Sequence, residues 1–228
     1  MLYRCVATSI AGFVQQLAVG YVANGYYFYV TGRIPSAKDP AKTDEKIIAQ
    51  YGIAMSKWAR ARRKAAGEAK VQYLRYDRFY AILATHGEHP FFGEEAKQIR
   101  DIRKYPLHFM GYSIGCRRGR HGRRLHASVR IHRNRFHELK ARFERMAVHG
   151  SVEELWGELR AIPFEPYAPV RDQMRMMLRA VNRRRKAAGL ELVPFTALRL
   201  RRVPIKPFES VKVSRSGIKP PFPNRIEA

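Results

Sequence analysis

The chain has 228 residues, of which 46% are hydrophobic, enough for a packed core and too many for a wholly disordered protein. It carries 44 lysine and arginine residues against 19 aspartate and glutamate residues, a formal net charge of +25. Because such an excess repels itself in a folded chain, it indicates a polyanionic partner, and nucleic acid is the commonest polyanion. An anionic membrane and an ordinary solvated basic surface are the alternatives. Only five of the basic residues lie within residues 1–54, so the excess belongs to residues 55–228.

Cys5 and Cys116 are the two cysteines, which are too few for a disulfide framework or for a zinc site by themselves. They favour a reduced, intracellular setting, in the cytoplasm or on the nucleoid. Residues 5–32 contain no charge, as signal and membrane segments often do. Polar residues at Gln15, Gln16 and Asn24 interrupt this segment, so no run of about 18 apolar residues exists. We therefore expect a buried helix and strand with no membrane partner, and export is the alternative.

The N-terminal third alternates between helical and extended patterns. Apolar spacing predicts a helix from residue 10 to 21, with Thr8 or Ser9 as N-cap, and the aromatic and β-branched segment 26–31 predicts a strand. Thr43 is expected to cap a short helix that ends at Gly52, with Asp44 in its first turn. A further helix is expected over residues 56–67.

The middle of the chain predicts mainly strands. Residues 71–76 and 79–85 predict a hairpin, residues 94–103 a short helix, and residues 107–114 and 125–131 a second pair of strands. With the strand at 26–31, the sequence predicts an α+β fold with an antiparallel or mixed sheet of about five strands and flanking helices.

The C-terminal half predicts helices and then an extended tail. Apolar spacing predicts a helix that ends at Gly150, a capping box from Ser151 to Glu154 begins the next, and a long helix ends at Gly189. Residues 190–228 contain many prolines and little periodicity. The predicted organisation is an α+β sheet domain over 1–132, a helical region packed on it over 133–189, and a proline-rich basic tail over 190–228.

The last long helix carries the most informative basic pattern. Arginines recur every four residues on the face opposite an apolar stripe, which places them about 6 Å apart, close to the phosphate spacing of a strand. These residues, with two that extend them, are Arg171, Arg175, Arg179, Arg183, Arg184 and Arg185. A solvent-exposed helix face normally has glutamates between its basic residues. Here only Asp172 lies between the arginines, which favours phosphate binding over a merely solvated surface.

Two further clusters combine basic residues with glycine or with an aromatic ring. The first is a Gly-Arg hairpin loop, in which glycine allows close backbone approach and arginine offers bidentate donors; its residues are Arg117, Arg118, Arg120, Arg123, Arg124 and, beyond the loop, Arg130. The second surrounds a tryptophan that could stack on a base or lie in the core; its residues are Lys57, Trp58, Arg60, Arg62, Arg63 and Lys64.

One cluster has a catalytic composition. His86, His89 and either Glu94 or Glu95 could hold a divalent metal against a scissile phosphate. This cluster resembles the HUH replication and transposition endonucleases, which implies paired metal-binding histidines and a tyrosine nucleophile. Those enzymes have one residue between the histidines, whereas this chain has two. Structural histidines in a loop are the preferred interpretation, so we expect no catalytic residue and no cofactor.

A second resemblance runs from Tyr73 to Phe143. A strand with RYDRFYAIL, then HFMGY, a basic hairpin and a helix with LKARF look like the palm-to-thumb passage of mobile-intron reverse transcriptases. Those enzymes need two adjacent aspartates for their metals, whereas Asp77 is followed by Arg78. The resemblance implies RNA binding without polymerisation.

We therefore expect a protein that binds structured RNA or single-stranded nucleic acid, encoded by a mobile element or part of a ribonucleoprotein. RNA is preferred over duplex DNA because helix-turn-helix and zinc signatures are lacking and aromatic residues lie among the basic clusters. The alternative is a metal-dependent nuclease or nicking initiator that uses His86 and His89.

Overall fold

Two antiparallel sheets form the strand framework of the protein, in a computed structural model that describes residues 3–119 and 125–208. The first sheet has the order β2-β3-β1-β4 and comprises β1 (Phe28–Arg33), β2 (Val71–Tyr76), β3 (Phe79–Ala84) and β4 (Arg100–Asp101). The second has the order β5-β6-β7 and comprises β5 (Leu107–Phe109), β6 (Tyr112–Arg118) and β7 (Leu125–Ile131). The predicted α+β class is confirmed.

The expectation of one sheet of about five strands is wrong, because the strands form two sheets and one predicted strand is two. Met110 and Gly111 both have positive φ, at 44° and 77°, and break the predicted strand 107–114 into β5 and β6. These two strands pair with each other, and β7 pairs with β6. The strands after residue 106 therefore form a sheet of their own.

Seven α-helices lie in the described residues: α1 (Ile10–Gln15), α2 (Pro40–Gln50), α3 (Lys57–Ala65), α4 (Pro90–Glu94), α5 (Arg133–Met146), α6 (Val152–Arg160) and α7 (Ala168–Ala187). Ser9, one of the two residues expected to cap the first helix, caps α1, and Ser56 caps α3. Asp39 rather than Thr43 caps α2. The helix predicted over 94–103 is wrong, since α4 ends at Glu94 and residues 100–101 pair with β1.

The uncharged N-terminal segment lies in the main core, where it contacts both sheets. The Phe13 ring packs 5.8 Å from that of Phe79 on β3 and 4.2 Å from that of Phe109 on β5, measured between ring centroids. After α1 the chain continues as a π-helical turn, Gln16–Tyr21. Burial on both sides accounts for the lack of charge. Within the described part of the chain, no helix combines the length and apolarity needed to cross a membrane.

A smaller core on the other face of the first sheet contains a buried ion pair. Asp44 of α2 is only 6% exposed. Its carboxylate accepts hydrogen bonds from Arg75 Nε at 2.7 Å and from the Tyr73 hydroxyl at 2.6 Å. Both partners lie on β2, so this network fastens α2 to the sheet.

The three C-terminal helices share the main core with the second sheet. Gln173 fixes α7 against β7, because its side chain accepts from the Ile131 N–H at 2.8 Å and donates to the Ile131 carbonyl at 3.0 Å. The chain after α7 returns to the N-terminus, where the Ile205 N–H donates to Gln15 at 2.9 Å and the Thr8 N–H donates to Pro207 at 3.0 Å. Residues 209–228 of the predicted tail lie outside the described residues.

Candidate nucleic-acid interface

The arginine face of α7 lies opposite a buried apolar stripe. Four residues of that stripe are fully buried, namely Val170, Met174, Met177 and Val181. On the arginine face, Arg171 donates to the Pro166 carbonyl at 3.1 Å and Arg175 to Asp172 at 2.9 Å. By contrast, Arg179, Arg183 and Arg184 are exposed, and their side chains have no hydrogen-bond or ion-pair partner within residues 3–119 and 125–208.

Arg185 does not belong to this exposed face, which corrects its assignment to the interface. It is 4% exposed, and its guanidinium donates to the carbonyl oxygens of Ala147 and Gly150 at 2.9 and 2.8 Å. A third donation goes to the Glu191 carbonyl. Because these carbonyls follow the end of α5 and of α7, Arg185 is a structural residue that closes both helix ends.

The second sheet presents its own basic face. Residues of β6 alternate between the buried Tyr112, Ile114 and Cys116 and the opposite face, on which Arg117 lies. On β7, Arg130 shares that opposite face, since it pairs with Ser113 in the register. Arg118 is exposed at the end of β6. The predicted residues Arg120, Arg123 and Arg124 lie outside the described part of the structure.

Arg130 connects the sheet face to α7. Its pKa is lowered by burial and then by repulsion from Arg117, while Asp172 of α7 acts in the opposite direction. Asp172 in turn accepts the hydrogen bond of Arg175. The Arg130 Nε is buried and has no hydrogen-bond partner among the described residues. Gln173 and Ile131, the sequence neighbours of Asp172 and Arg130, are hydrogen-bonded to each other. The two clusters, which are 40 or more residues apart in the sequence, therefore meet where α7 packs on β7.

The cluster around Trp58 lies on α3. Trp58 is 80% exposed, so the interpretation of this ring as a core residue is wrong. Arg62 and Lys64 are also exposed, whereas Arg63 lies 3.3 Å from the Glu68 carboxylate. The side chain of Lys57 lies outside the described part of the structure. Arg60 is half-buried near Tyr26, whose pKa it lowers against the larger opposing effect of burial.

The sequence interpretation did not identify Phe195, which lies beside the α7 arginines. Phe195 is 55% exposed, and the Arg175 guanidinium carbon lies 6.0 Å from its ring centroid. A groove of about 540 Å³ runs between α7 and the segment that contains Phe195. An aromatic residue in an otherwise basic and proline-rich segment was the signal that could have identified it.

The histidine cluster is held by separate contacts. His86 Nε2 lies 3.2 Å from Arg103 Nη1, and its ring packs edge-on to Phe28 with centroids 4.7 Å apart. His89 Nδ1 accepts the Phe91 N–H at 3.1 Å, which caps α4. Burial, and next repulsion from Arg63, lowers the pKa of His89. Glu94 accepts from Gln50 at 2.6 Å. Within residues 3–119 and 125–208, no three histidine, cysteine or acidic side chains are grouped as metal ligands.

Comparisons of this chain with models of protein families, with curated proteins and with solved structures found no match.

Proposed function

We propose that the protein binds structured RNA or single-stranded nucleic acid through a basic surface that extends from the second sheet onto α7. We call this the sheet–α7 surface, and its described members are Arg117, Arg130, Arg175, Arg179, Arg183 and Arg184. The observation that carries the proposal is the packing of α7 on β7 through hydrogen bonds between Gln173 and Ile131, the sequence neighbours of Asp172 and Arg130. One continuous surface can follow a phosphate backbone over several nucleotides.

The charges of this surface support a polyanionic ligand. Arg179, Arg183 and Arg184 make no ion pair with any described residue, so a ligand would not have to break internal contacts to engage them. Each phosphate that they neutralise would release counterions and contribute to affinity. Because these contacts would be made to the backbone, this part of the binding would be independent of base sequence.

Exposed aromatic rings beside basic residues support unpaired bases over duplex DNA. Trp58 is 80% and Phe195 55% exposed. Trp58 lies on the arginine-containing helix α3, and the Phe195 ring lies 6.0 Å from the Arg175 guanidinium carbon. Exposed rings provide stacking platforms for splayed bases, which duplex DNA does not present. We propose an intracellular, RNA-associated role, within a ribonucleoprotein or a mobile element, and this binding needs no cofactor.

A pair of charge-matched variants tests the proposal. Arg175, Arg179 and Arg183 are replaced by glutamine in one variant, and Lys38, Lys42 and Lys46 in the other, which lie in or beside α2. Both variants lose the same charge. Affinity for a structured RNA and a single strand is measured by fluorescence anisotropy. We expect only the α7 variant to show a marked loss and a salt slope smaller by about one unit for each lost contact. Equal affinities for the two folded variants would show that total charge, and not this surface, determines binding.

A further inference from the structure

The groove beside α7 combines an apolar floor with a cationic rim. Leu178 and Val193 are buried at 5% and 2% exposure and form the floor, while Leu192 and Phe195 are half exposed above it. Three arginines and a lysine line the α7 side, namely Arg175, Arg179, Arg183 and Lys186. A ligand that fits both parts needs a flat apolar body and an attached anion.

The chain segment that forms the other wall of the groove is hydrogen-bonded to α7. Asn182 donates to the Val193 carbonyl at 2.9 Å and accepts the Val193 N–H at 2.9 Å. This pair of hydrogen bonds fixes the segment that carries Leu192 and Phe195 at a set distance from the arginines. The groove is therefore part of the folded structure, as binding sites for small planar groups usually are.

We propose that this groove holds one unpaired nucleotide of the bound strand, with its base stacked on Phe195 and its phosphates contacted by Arg179 and Arg183. The inference rests on the proposed function, to which it adds the position at which one unpaired nucleotide is held. The groove volume of about 540 Å³ accommodates a nucleotide. Charge complementarity selects the phosphodiester over an uncharged aromatic ligand.

The groove has little capacity to read base identity. Asn182 is the amide side chain among its described lining residues, and both of its polar atoms are engaged by Val193. Stacking tolerates every base because each has a π-face. All four bases are therefore accepted with similar affinity, and selectivity is for an unpaired base over a paired one.

The experiment compares a labelled single-stranded RNA of about 12 nucleotides with the blunt duplex of the same sequence. The variants are Phe195→Ala and Phe195→Trp, with Tyr105→Ala as the control because Tyr105 is also an exposed ring, at 62%. We expect Phe195→Ala to weaken single-strand binding roughly 5- to 100-fold and to leave duplex binding within about twofold. Phe195→Trp keeps the affinity, and Tyr105→Ala matches the parent protein.

Four results would overturn the inference. They are unchanged single-strand affinity in Phe195→Ala, an equal loss for strand and duplex, loss in Phe195→Trp, and an equal loss in Tyr105→Ala. If Arg179→Gln/Arg183→Gln weakens binding while Phe195→Ala does not, the basic surface is upheld and the groove assignment fails. If the parent protein binds neither RNA, the proposed function itself fails. Selective loss of phosphatidylserine-vesicle binding in Phe195→Ala, with RNA affinity unchanged, would instead assign the groove to a lipid headgroup.

A zero-length crosslink gives an independent measurement. The single strand carries 5-bromouridine at each position in turn, and the crosslinked peptide is identified by mass spectrometry. The inference expects attachment at Phe195 in the parent protein. Efficient crosslinks that map only to other segments of the chain would contradict it.

Discussion

Arg185 Nη1 donates a hydrogen bond to the carbonyl oxygen of Gly150 at 2.8 Å. This contact joins the last turn of α7 to the end of the segment that follows α5. It separates Arg185 from its neighbours Arg183 and Arg184, whose side chains are exposed. Of these three consecutive arginines, Arg185 is therefore structural, whereas Arg183 and Arg184 are available to a ligand. Substitutions can distinguish the two roles.

Replacing Arg185 by glutamine should destabilise the protein by about 3 kcal/mol, since hydrogen bonds from a charged group each contribute about 1.5–3 kcal/mol and do not add fully. Arg184→Gln is the matched control and should leave the free energy of unfolding within about 0.5 kcal/mol while it weakens RNA binding. Urea unfolding and anisotropy on both variants provide the comparison. Equal stabilities for the two variants would contradict the structural assignment of Arg185.

The Asp44–Arg75 pair should stabilise the attachment of α2 to the first sheet. Its side chains are 8% and 11% exposed, so Asp44→Ala leaves a buried guanidinium without its partner and should cost about 3–5 kcal/mol. Asp172→Ala breaks the Arg175 pair, in which Asp172 is 69% exposed, and should change stability by less than about 1 kcal/mol. Chemical denaturation measures the free energy of unfolding of both variants. Similar losses in the two would show that burial does not determine how much these ion pairs stabilise the protein.

The thiol of Cys5 should be unreactive in the folded protein. Burial, with a further contribution from Asp44, raises its pKa from the ordinary value of 9.0 to about 11. At pH 8 only about one Cys5 thiol in a thousand is ionised, so an aromatic disulfide reagent should modify it about 100-fold more slowly than in urea. Burial also raises the pKa of Cys116, and Cys116→Ala isolates Cys5 for this measurement.

The same shift predicts a loss of stability in alkali. The folded state holds the Cys5 proton more tightly than the unfolded state, so its contribution is complete below about pH 9 and disappears as the pH rises towards 11. The free energy of unfolding should fall over that interval, and less so in Cys5→Ala. Fast modification of Cys5 at pH 8 would contradict the raised pKa of its thiol. So would a loss of stability in alkali that is the same in Cys5→Ala as in the parent protein.

The histidine cluster should not support nucleic-acid cleavage. His86 and His89 make separate contacts with Arg103 and with the Phe91 N–H, and a metal site would require both imidazoles on one ion. Single-stranded DNA and RNA should therefore remain intact with Mg²⁺ or Mn²⁺ present. Metal-dependent cleavage that disappears in a folded His86→Ala/His89→Ala variant would establish the nuclease alternative instead.

Local patterns predicted the elements whose signals are local. The β2–β3 hairpin and the capping box of α6 were both expected, and the structure contains both, the latter between Ser151 and Glu154. The turn at Met110–Gly111 was not expected, because a non-glycine residue with positive φ leaves no clear mark in the sequence. That turn gives the second sheet its third strand.

Helical spacing could have identified both buried charges. Arg185 follows Val181 by four residues, which places it on the apolar face of α7 and not among the exposed arginines. On α2, Asp44 precedes Ile47 and Ile48 by three and four residues, which likewise places it on the apolar face of its helix. The Arg175–Asp172 pair follows from i,i+3 spacing on one helix. The position of Arg130 beside α7 could not have been predicted, since it depends on how α7 packs on β7.

The salt dependence of RNA binding tests the central claim most directly. Dissociation constants of the unmodified protein for a structured RNA and for a single strand are measured from about 50 to about 200 mM salt. If roughly 6–10 phosphates are neutralised, affinity should fall by about three to five decades over that range. A dissociation constant that does not change with salt, or an absence of binding at the lowest salt, would contradict the account.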